Sequence, residues 1–278
     1  MLLGDWIITT KTSLKKFNGL SGMEAKVLAS EVLNHPKAWI ISHPEYLLTP
    51  EELLRLNSLR DRVLKGEPLP YVIGYWEFYG LRFSVSPAVL IPRPETELLV
   101  EHALHWLSKH NEAKWVADVG TGSGCIAISL AKNHEDIQIV ATDRSWEALQ
   151  VSKVNTIQHN LDPRITLIHT NLLEPFRNGF DLICANLPYI PTFKLRNLAV
   201  TKHEPVSALD GGQDGLQWIK GLLQMAYQVI RPGGKILLEI ESEQGGQALK
   251  FIEETVRSAE TTRIKDLSGR DRLISIQF

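Results

Sequence analysis

The chain has 278 residues, 44% of them hydrophobic and 22% charged, with a net charge of −2. This is ordinary globular composition, and the length suits one large α/β domain with a smaller appendage. No basic run exceeds a pair such as Lys15-Lys16, so charge runs alone cannot track a nucleic-acid backbone. No apolar run approaches the roughly 20 residues that span a bilayer. The N-terminus lacks a basic region and carries an early acid, Asp5, so no signal peptide is expected. Cys125 and Cys184 sit far apart in apolar stretches and outside any metal-ligand pattern, which suits reduced core residues. The expectation is a cytoplasmic protein with no metal site and no membrane partner.

The first 70 or so residues read as a small helical bundle. Ser21-Gly22-Met23-Glu24 has capping-box spacing, and Ala25, Leu28, Ala29 and Val32 then recur at helical intervals. Thr49-Pro50-Glu51-Glu52 opens another helix: Thr49 caps it, Pro50 takes its first position and Glu52 reaches back. Gly66-Glu67-Pro68-Leu69-Pro70 ends that pattern. The aromatic and β-branched stretch from Tyr75 to Val85, with Gly80 as its turn, reads as a hairpin bridging two domains. The predicted division is a helical domain over 1–74, a hairpin linker over 75–94 and a large domain over 95–278.

From Lys114 onward strands and helices alternate. Strands are expected at Trp115–Val119, Ile137–Thr142, Ile165–His169, Phe180–Ala185 and Lys235–Ile240. Two more are expected near Thr262–Leu267 and Arg272–Gln277. Helices fall between them, including one over Leu216–Val229. Regular alternation implies a doubly wound, mostly parallel sheet. The last two strands are joined only by Ser268-Gly269-Arg270-Asp271, too short for a parallel crossover, so an edge strand should run antiparallel.

Three motifs carry chemistry. Gly120, Thr121, Gly122, Ser123 and Gly124 follow Asp118-Val119 between a strand and a helix. Such a loop lets the backbone turn sharply and approach a ligand, with amides of the following helix facing it. Its third glycine comes one residue too early for a dinucleotide fingerprint, and the preceding acid suits an ammonium group better than a pyrophosphate. Asp143, about 20 residues on at the next strand end, is placed to accept hydrogen bonds from ribose hydroxyls. It could equally serve only to start the helix that Ser145 caps.

Asn186-Leu187-Pro188-Tyr189 ends the fourth strand, on the side where open α/β sheets bind ligands. An amide or aromatic-amine nitrogen is a poor nucleophile because its lone pair is delocalised. Two acceptors on its N–H groups would aim that lone pair at an electrophilic methyl and stabilise the charge that develops. The Asn186 side-chain oxygen and the Leu187 carbonyl can be those acceptors, with Pro188 stiffening the turn and Tyr189 offering a face to the planar group.

Over nearly its whole length the chain resembles the HemK/PrmC-type peptide-chain release factor glutamine methyltransferases. The resemblance lies in Gly66-Glu67-Pro68 through Gly74, Glu77 to Leu81, Leu90-Ile91-Pro92-Arg93-Pro94-Glu95-Thr96-Glu97, and Asp118 to Cys125. It continues in Asn186 to Ile190, Glu204-Pro205, Ala208 to Leu216 and Gly269 to Arg272. It implies a Rossmann-like class I S-adenosylmethionine-dependent methyltransferase domain after a helical domain that binds a protein substrate. It further implies that Gly120 to Gly124, Asp143, Asn186 and Leu172 bind S-adenosylmethionine, with Leu172 near the adenine and Arg93 to Glu97 close by. Asn186 to Tyr189 would hold the glutamine amide of the Gly-Gly-Gln tripeptide in class I release factors, with no direct nucleic-acid contact. Leu187 departs from the family's usual Asn-Pro-Pro-Tyr, where the first proline stands at this position, and Asn171 stands where the family commonly has an acid.

Asn-Leu-Pro-Tyr is also similar to the motif of ribosomal RNA adenine dimethyltransferases, so methylation of a flipped adenine N6 stays as the alternative. A nicotinamide-dependent oxidoreductase and an inactive binding module are the remaining readings. The chain's own Gly211-Gly212-Gln213 reads as a turn before a helix. Glu239 and Glu241, alternating at a strand end, read as solvated edge acids.

Overall fold

The computed structural model describes residues 1–18, 22–112, 114–177 and 179–278. The chain divides into two compact units, Met1–Tyr75 and Trp76–Phe278. The first unit is helical: α1 (Leu3–Asn18), α2 (Met23–Leu33), α3 (Lys37–Ser42), α4 (Pro50–Leu64) and α5 (Leu69–Ile73). Leu3, Trp6, Leu14, Leu28, Leu56 and Val63 meet in its core. These residues recur at helical spacing, so each helix offers one apolar stripe inward. The expected cap of α4 is present in both directions: Glu52 N–H donates to Thr49 Oγ1 (3.2 Å) and Thr49 N–H to Glu52 Oε2 (2.9 Å). The capping box expected from Ser21 lies outside the described residues. Beside it, Gly22 N–H donates to Glu24 Oε2 at 2.9 Å.

Strands β1 (Tyr75–Phe78) and β2 (Leu81–Ser84) form the expected hairpin. Tyr79 and Gly80 turn it with φ of 50° and 70°, the left-handed pair that a two-residue hairpin loop requires. Phe78 and Phe83 meet edge-on, 6.1 Å between centroids, in the same core as Leu99, Val100 and Leu130.

The second unit continues with α6 (Glu97–Leu107), β3 (Trp115–Val119), α7 (Cys125–Asn133), β4 (Gln138–Asp143), α8 (Trp146–Gln158) and β5 (Ile165–His169). Then come β6 (Phe180–Ala185), α9 (Thr192–Leu195), α10 (Gln217–Gln224), α11 (Ala226–Val229), β7 (Ile230–Glu239), α12 (Gly245–Thr255), β8 (Glu260–Lys265) and β9 (Asp271–Gln277). Among the described residues the sheet has seven strands in the order β5-β4-β3-β6-β7-β9-β8. The pairs from β5 to β7 are parallel, and β9 runs antiparallel to both of its neighbours. Successive residues of a strand enter opposite cores: Leu182 and Cys184 pack on one face, Ile183 and Ala185 on the other. Both cysteines are free and buried, as their apolar surroundings predict. No helix among the described residues is long and apolar enough to cross a membrane.

Two elements differ from expectation. The helix over 216–229 is broken at Met225, whose φ of −101° and ψ of 0° leave the helical region. Strand β7 starts at Ile230 rather than Lys235, because the pairing with β6 jumps across the Pro232-Gly233-Gly234 segment. Proline brings no N–H to the ladder and Gly233 sits at φ 79°, so the extra residues loop out and pairing resumes at Lys235.

From β3 the chain moves outward through β4 and β5, then returns to lay β6 on the other side of β3. The loops after β3 and β6 therefore diverge, and a crevice opens between them at the carboxyl ends of the strands. For the helical unit, Thr49→Ala should lower stability by about 1 kcal/mol through loss of the cap. Urea unfolding followed by circular dichroism would register it as a lower midpoint with an unchanged slope.

Candidate active site

A cleft of about 950 Å³, counting its open mouth, occupies that crevice. Gly120, Thr121, Gly122, Ser123, Asp143, Leu172, Asn186, Leu187 and Pro188 line it, together with Arg93 and Thr96 from the segment before α6. Two expected site residues do not line it. Gly124 lies behind the loop with φ 83°, where an added Cβ would approach Ser152 Oγ to 2.6 Å, so it is glycine for close packing against α8. Tyr189 turns away, half-buried, and burial raises its phenol pKa, reinforced by the charges of Glu239 and Glu241.

The glycine loop is wired mainly to its own chain. Gly120 and Thr121 N–H both donate to the Thr142 carbonyl at 2.9 Å, and Gly124 N–H donates to the Thr121 carbonyl at 2.8 Å. Gly122 N–H donates to Asp143 Oδ2 at 2.9 Å. Asp118 is fully buried and absent from the cleft lining. Its Oδ2 accepts the Thr121 hydroxyl (2.6 Å) and the Ala127 N–H (3.1 Å) at the start of α7. This corrects two expectations. The acid before the loop organises the turn rather than facing a ligand, and of the amides that open α7 that of Ala127 is spent on this acid. A pyrophosphate, which needs free amides, is poorly served here. Burial drives the Asp118 carboxyl up to about 7 against the pull of its two hydrogen bonds.

Asp143 takes the helix-starting role foreseen for it and also lines the cleft. Its Oδ1 accepts Ser145 N–H at 2.8 Å where Ser145 caps α8, while the residue also faces the cleft. Each carboxylate oxygen has more than one lone pair, so both can still accept hydroxyls. Leu172 is held at φ 49°, a strained region for a branched side chain, and puts its apolar bulk into the cleft wall. Strain of this kind costs on the order of 1–3 kcal/mol and clusters at ligand sites. The Arg144 guanidinium lies 4.6 Å over the Trp218 ring, and both residues line the same end. The donor set suits a ligand with vicinal hydroxyls and a flat apolar group.

On the opposite wall, Asn186 Nδ2 donates to Thr96 Oγ1 at 3.0 Å, which leaves Oδ1 as the acceptor the side chain can offer. Leu187 is buried in the core beneath the cleft, its Cδ2 only 3.1 Å from where a Cβ on Gly120 would sit. Glu239 is not the solvated acid expected: it is 2% exposed and pushed by burial to about 7, with Thr96 and Asn186 beside it opposing the rise. A near-continuous apolar run in β7 was the available signal, since a strand covered on both faces has no solvated side for an acid. Thr96 and Glu204 were also not singled out. Glu204 accepts Ile91 N–H (3.1 Å) and Arg93 NH2 (2.6 Å), which pins the Ile91–Arg93 segment at the cleft.

Gly211 to Gly215 form a turn that backs the Asn186–Tyr189 loop. Gly211 N–H donates to the Ile190 carbonyl (2.8 Å), Thr192 N–H to the Gly212 carbonyl (2.9 Å), and Gln244 Nε2 to the Tyr189 carbonyl (2.8 Å). The chain's own Gly-Gly-Gln is thus a structural turn, as its sequence suggests.

The family model of the methyltransferase small domain matches residues 94–202, and that of the PrmC N-terminal domain matches residues 5–74. A release factor glutamine methyltransferase of Clostridium acetobutylicum is 35% identical over 280 residues, spanning 99% of this chain and 98% of its own. One from Moorella thermoacetica is 41% identical over 253 residues, spanning 90% of this chain and 89% of its own. Among solved structures, a SAM-dependent methyltransferase from Agrobacterium tumefaciens shares the fold with a TM-score of 0.51 at 14% identity, covering 74% of this chain and 70% of its own.

The backing turn yields a test. Gly215 sits at φ 76°, and an added Cβ would collide with the Tyr189 carbonyl and the Gln244 amide. Gly215→Ala should therefore displace the loop after β6, lowering thermal stability by on the order of 1–3 kcal/mol. Differential scanning fluorimetry would record the fall.

Proposed function

The chain belongs to the release factor glutamine methyltransferase family, and we propose that it methylates the side-chain amide nitrogen of the Gly-Gly-Gln glutamine in class I peptide-chain release factors. The single observation that carries this is the fixed orientation of Asn186, whose nitrogen is committed to Thr96 so that its oxygen remains for the substrate.

S-adenosylmethionine, the group this site fits, supplies an electrophilic methyl on a sulfonium. Asp143 would accept the ribose hydroxyls, Leu172 would lie against the adenine, and the turn from Gly120 to Gly124 would let the backbone approach. On the substrate side, Asn186 Oδ1 and the Leu187 carbonyl would each accept one N–H of the glutamine amide. Held by both hydrogens, the nitrogen has its plane and rotation fixed, so its out-of-plane electron density points at the methyl donor. The same two acceptors stabilise positive charge as it develops on nitrogen. Pro188 restricts the turn and Tyr189 supports it from behind. The methylated nitrogen is strongly acidic and sheds one proton to water, so no general base is needed.

The reading extends to residues 1–74 as the substrate-binding domain, 75–94 as the linker and 95–278 as the methyltransferase domain. It includes a cytoplasmic location, which two free buried cysteines fit, and no direct nucleic-acid contact.

Transfer of labelled methyl to a purified class I release factor tests the reading, with its Gly-Gly-Ala variant and ribosomal RNA alongside. Label on the wild-type factor alone is expected. Label on RNA instead would overturn the substrate and favour adenine N6. Asn186→Ala should leave cofactor binding, measured by calorimetry, largely intact through the remaining contacts, while kcat falls on the order of 10²–10³-fold, the usual cost of one preorganised polar contact.

A further inference from the structure

Glu239 is a buried acid without a part in the reaction above, and it stands beside the residue the reaction depends on. Strands β6 and β7 pair Ala185 with Leu238, so Asn186 and Glu239 leave the sheet as neighbours. Thr96 joins them from the turn before α6. Asn186 Nδ2 donates to Thr96 Oγ1 at 3.0 Å, and both side chains lie near enough to the Glu239 carboxylate to favour its charged form. Glu239 Oε2 is buried without a hydrogen-bond partner. The charges that bear on Glu239 are Glu95 and Arg272, with Tyr189 and Cys125 also within electrostatic reach.

A side-chain amide is nearly symmetric in shape. Turning Asn186 by half a revolution swaps oxygen for NH2 with little change in packing, so van der Waals contact cannot choose between the two. The choice matters: an NH2 facing the substrate would oppose its donors and remove an acceptor. An ionised carboxylate only accepts, so it attracts the Thr96 hydroxyl hydrogen and the Asn186 N–H groups beside it. Thr96 Oγ1, its hydrogen spent on Glu239, can then only accept from Asn186. Both neighbours demand the nitrogen end.

We propose that Glu239 and Thr96 are positioning residues that lock the Asn186 amide with its oxygen toward the substrate nitrogen. This rests on the reading of Asn186 as the acceptor for that nitrogen. Protonation undoes the lock. A neutral Glu239 donates to Thr96, whose hydroxyl hydrogen is then free to take the Asn186 oxygen, and the reversed amide becomes equally satisfied. Burial raises the Glu239 pKa to about 7, with the Glu95 charge adding and Arg272 opposing, so the lock engages as pH rises through neutrality.

The experiment combines two readouts on the full chain. The first is methylation of the release factor from weakly acidic to weakly alkaline pH, for wild type, Glu239→Gln, Thr96→Val and Thr96→Ser. Wild-type kcat should rise with pH around a midpoint of about 7. Glu239→Gln should lose that limb, and Thr96→Val should lose roughly 10²-fold in kcat at unchanged cofactor affinity, the scale of a misplaced contact. Thr96→Ser, which keeps the hydroxyl, should restore most of the rate. The second readout is the 15N resonance of the Asn186 side-chain amide, identified by its loss in Asn186→Ala. It should shift with pH around the same midpoint in wild type and stay flat in Glu239→Gln. If wild type leaves the release factor unmethylated, the substrate reading fails, and the resonance still decides the lock. A wild-type Asn186 resonance that does not titrate overturns the proposal, as does a Glu239→Gln enzyme with the wild-type rate and acid limb. The wild-type resonance also decides should a variant fail to fold.

Discussion

Two loops leave the sheet side by side where β3 and β6 end, and they compete for one volume. Leu187 occupies it, with Cδ2 3.1 Å from the position of any Cβ on residue 120. Gly120 therefore has two reasons to be glycine: a φ of 73° and the neighbour it must admit. The consequence is a shared floor. The turn expected to carry the cofactor and the loop expected to hold the substrate cannot move independently, because the core residue of one lies in the gap left by the other. The Asn155 side chain extends the brace, donating to the Ser123 carbonyl (2.8 Å) and the Ser84 carbonyl (3.0 Å) and so tying the glycine turn to hairpin strand β2.

Around that floor the polar groups are organised by acids. Asp118 joins loop to helix, Asp143 joins loop to the next helix start, Glu204 holds the segment before α6, and Glu239 lies beside Thr96 and Asn186. Burying carboxylates opposes folding unless N–H and O–H donors compensate. At Asp118 and Glu239 compensation is incomplete, with one oxygen of each lacking a partner and both carboxyls pushed to about 7. The sign follows from linkage. Between the ordinary carboxylate range and about 7 the folded state holds protons that the unfolded chain has released, so these two groups lower stability as pH rises through that window. A site that keeps such groups trades stability for fixed geometry, which suits catalysis by placement.

Much of this was legible in the sequence, and the part that was not has a common physical origin. Strand-helix alternation, the Thr49 cap and the hairpin turn are local patterns, and apart from the start of β7 and the break at Met225 they were read closely. The cleft-lining glycines, Asp143 and Asn186 were legible because strand-end loops in a doubly wound sheet converge whatever lies between them. What failed was direction. Asp118 and Glu239 were placed correctly in their strands, yet the side each faces depends on what covers the sheet. A strand buried on both faces offers an acid no solvent, and only tertiary packing reveals the Thr96 hydroxyl that makes Glu239 tolerable there. The break at Met225 and the excursion at Pro232 to Gly234 are likewise adjustments between neighbouring elements rather than local preferences.

The leucine at position 187 is where these lines meet. The proline usual in the family at this position would stiffen the loop through its ring. Leu187 has no ring, but it precedes Pro188, which confines it to extended backbone. Its side chain is 4% exposed and packs in the core with Val119, Ala185 and Leu216. Rigidity lost from the backbone is recovered from burial. The Leu187 carbonyl, the acceptor proposed for the substrate, is then aimed by an anchored side chain on one side and a proline on the other. The same anchor lies against Gly120, so the substitution couples the carbonyl to the glycine turn. That coupling keeps the acceptor in register with the opposite wall of the cleft, which a free loop bearing the same carbonyl would not do.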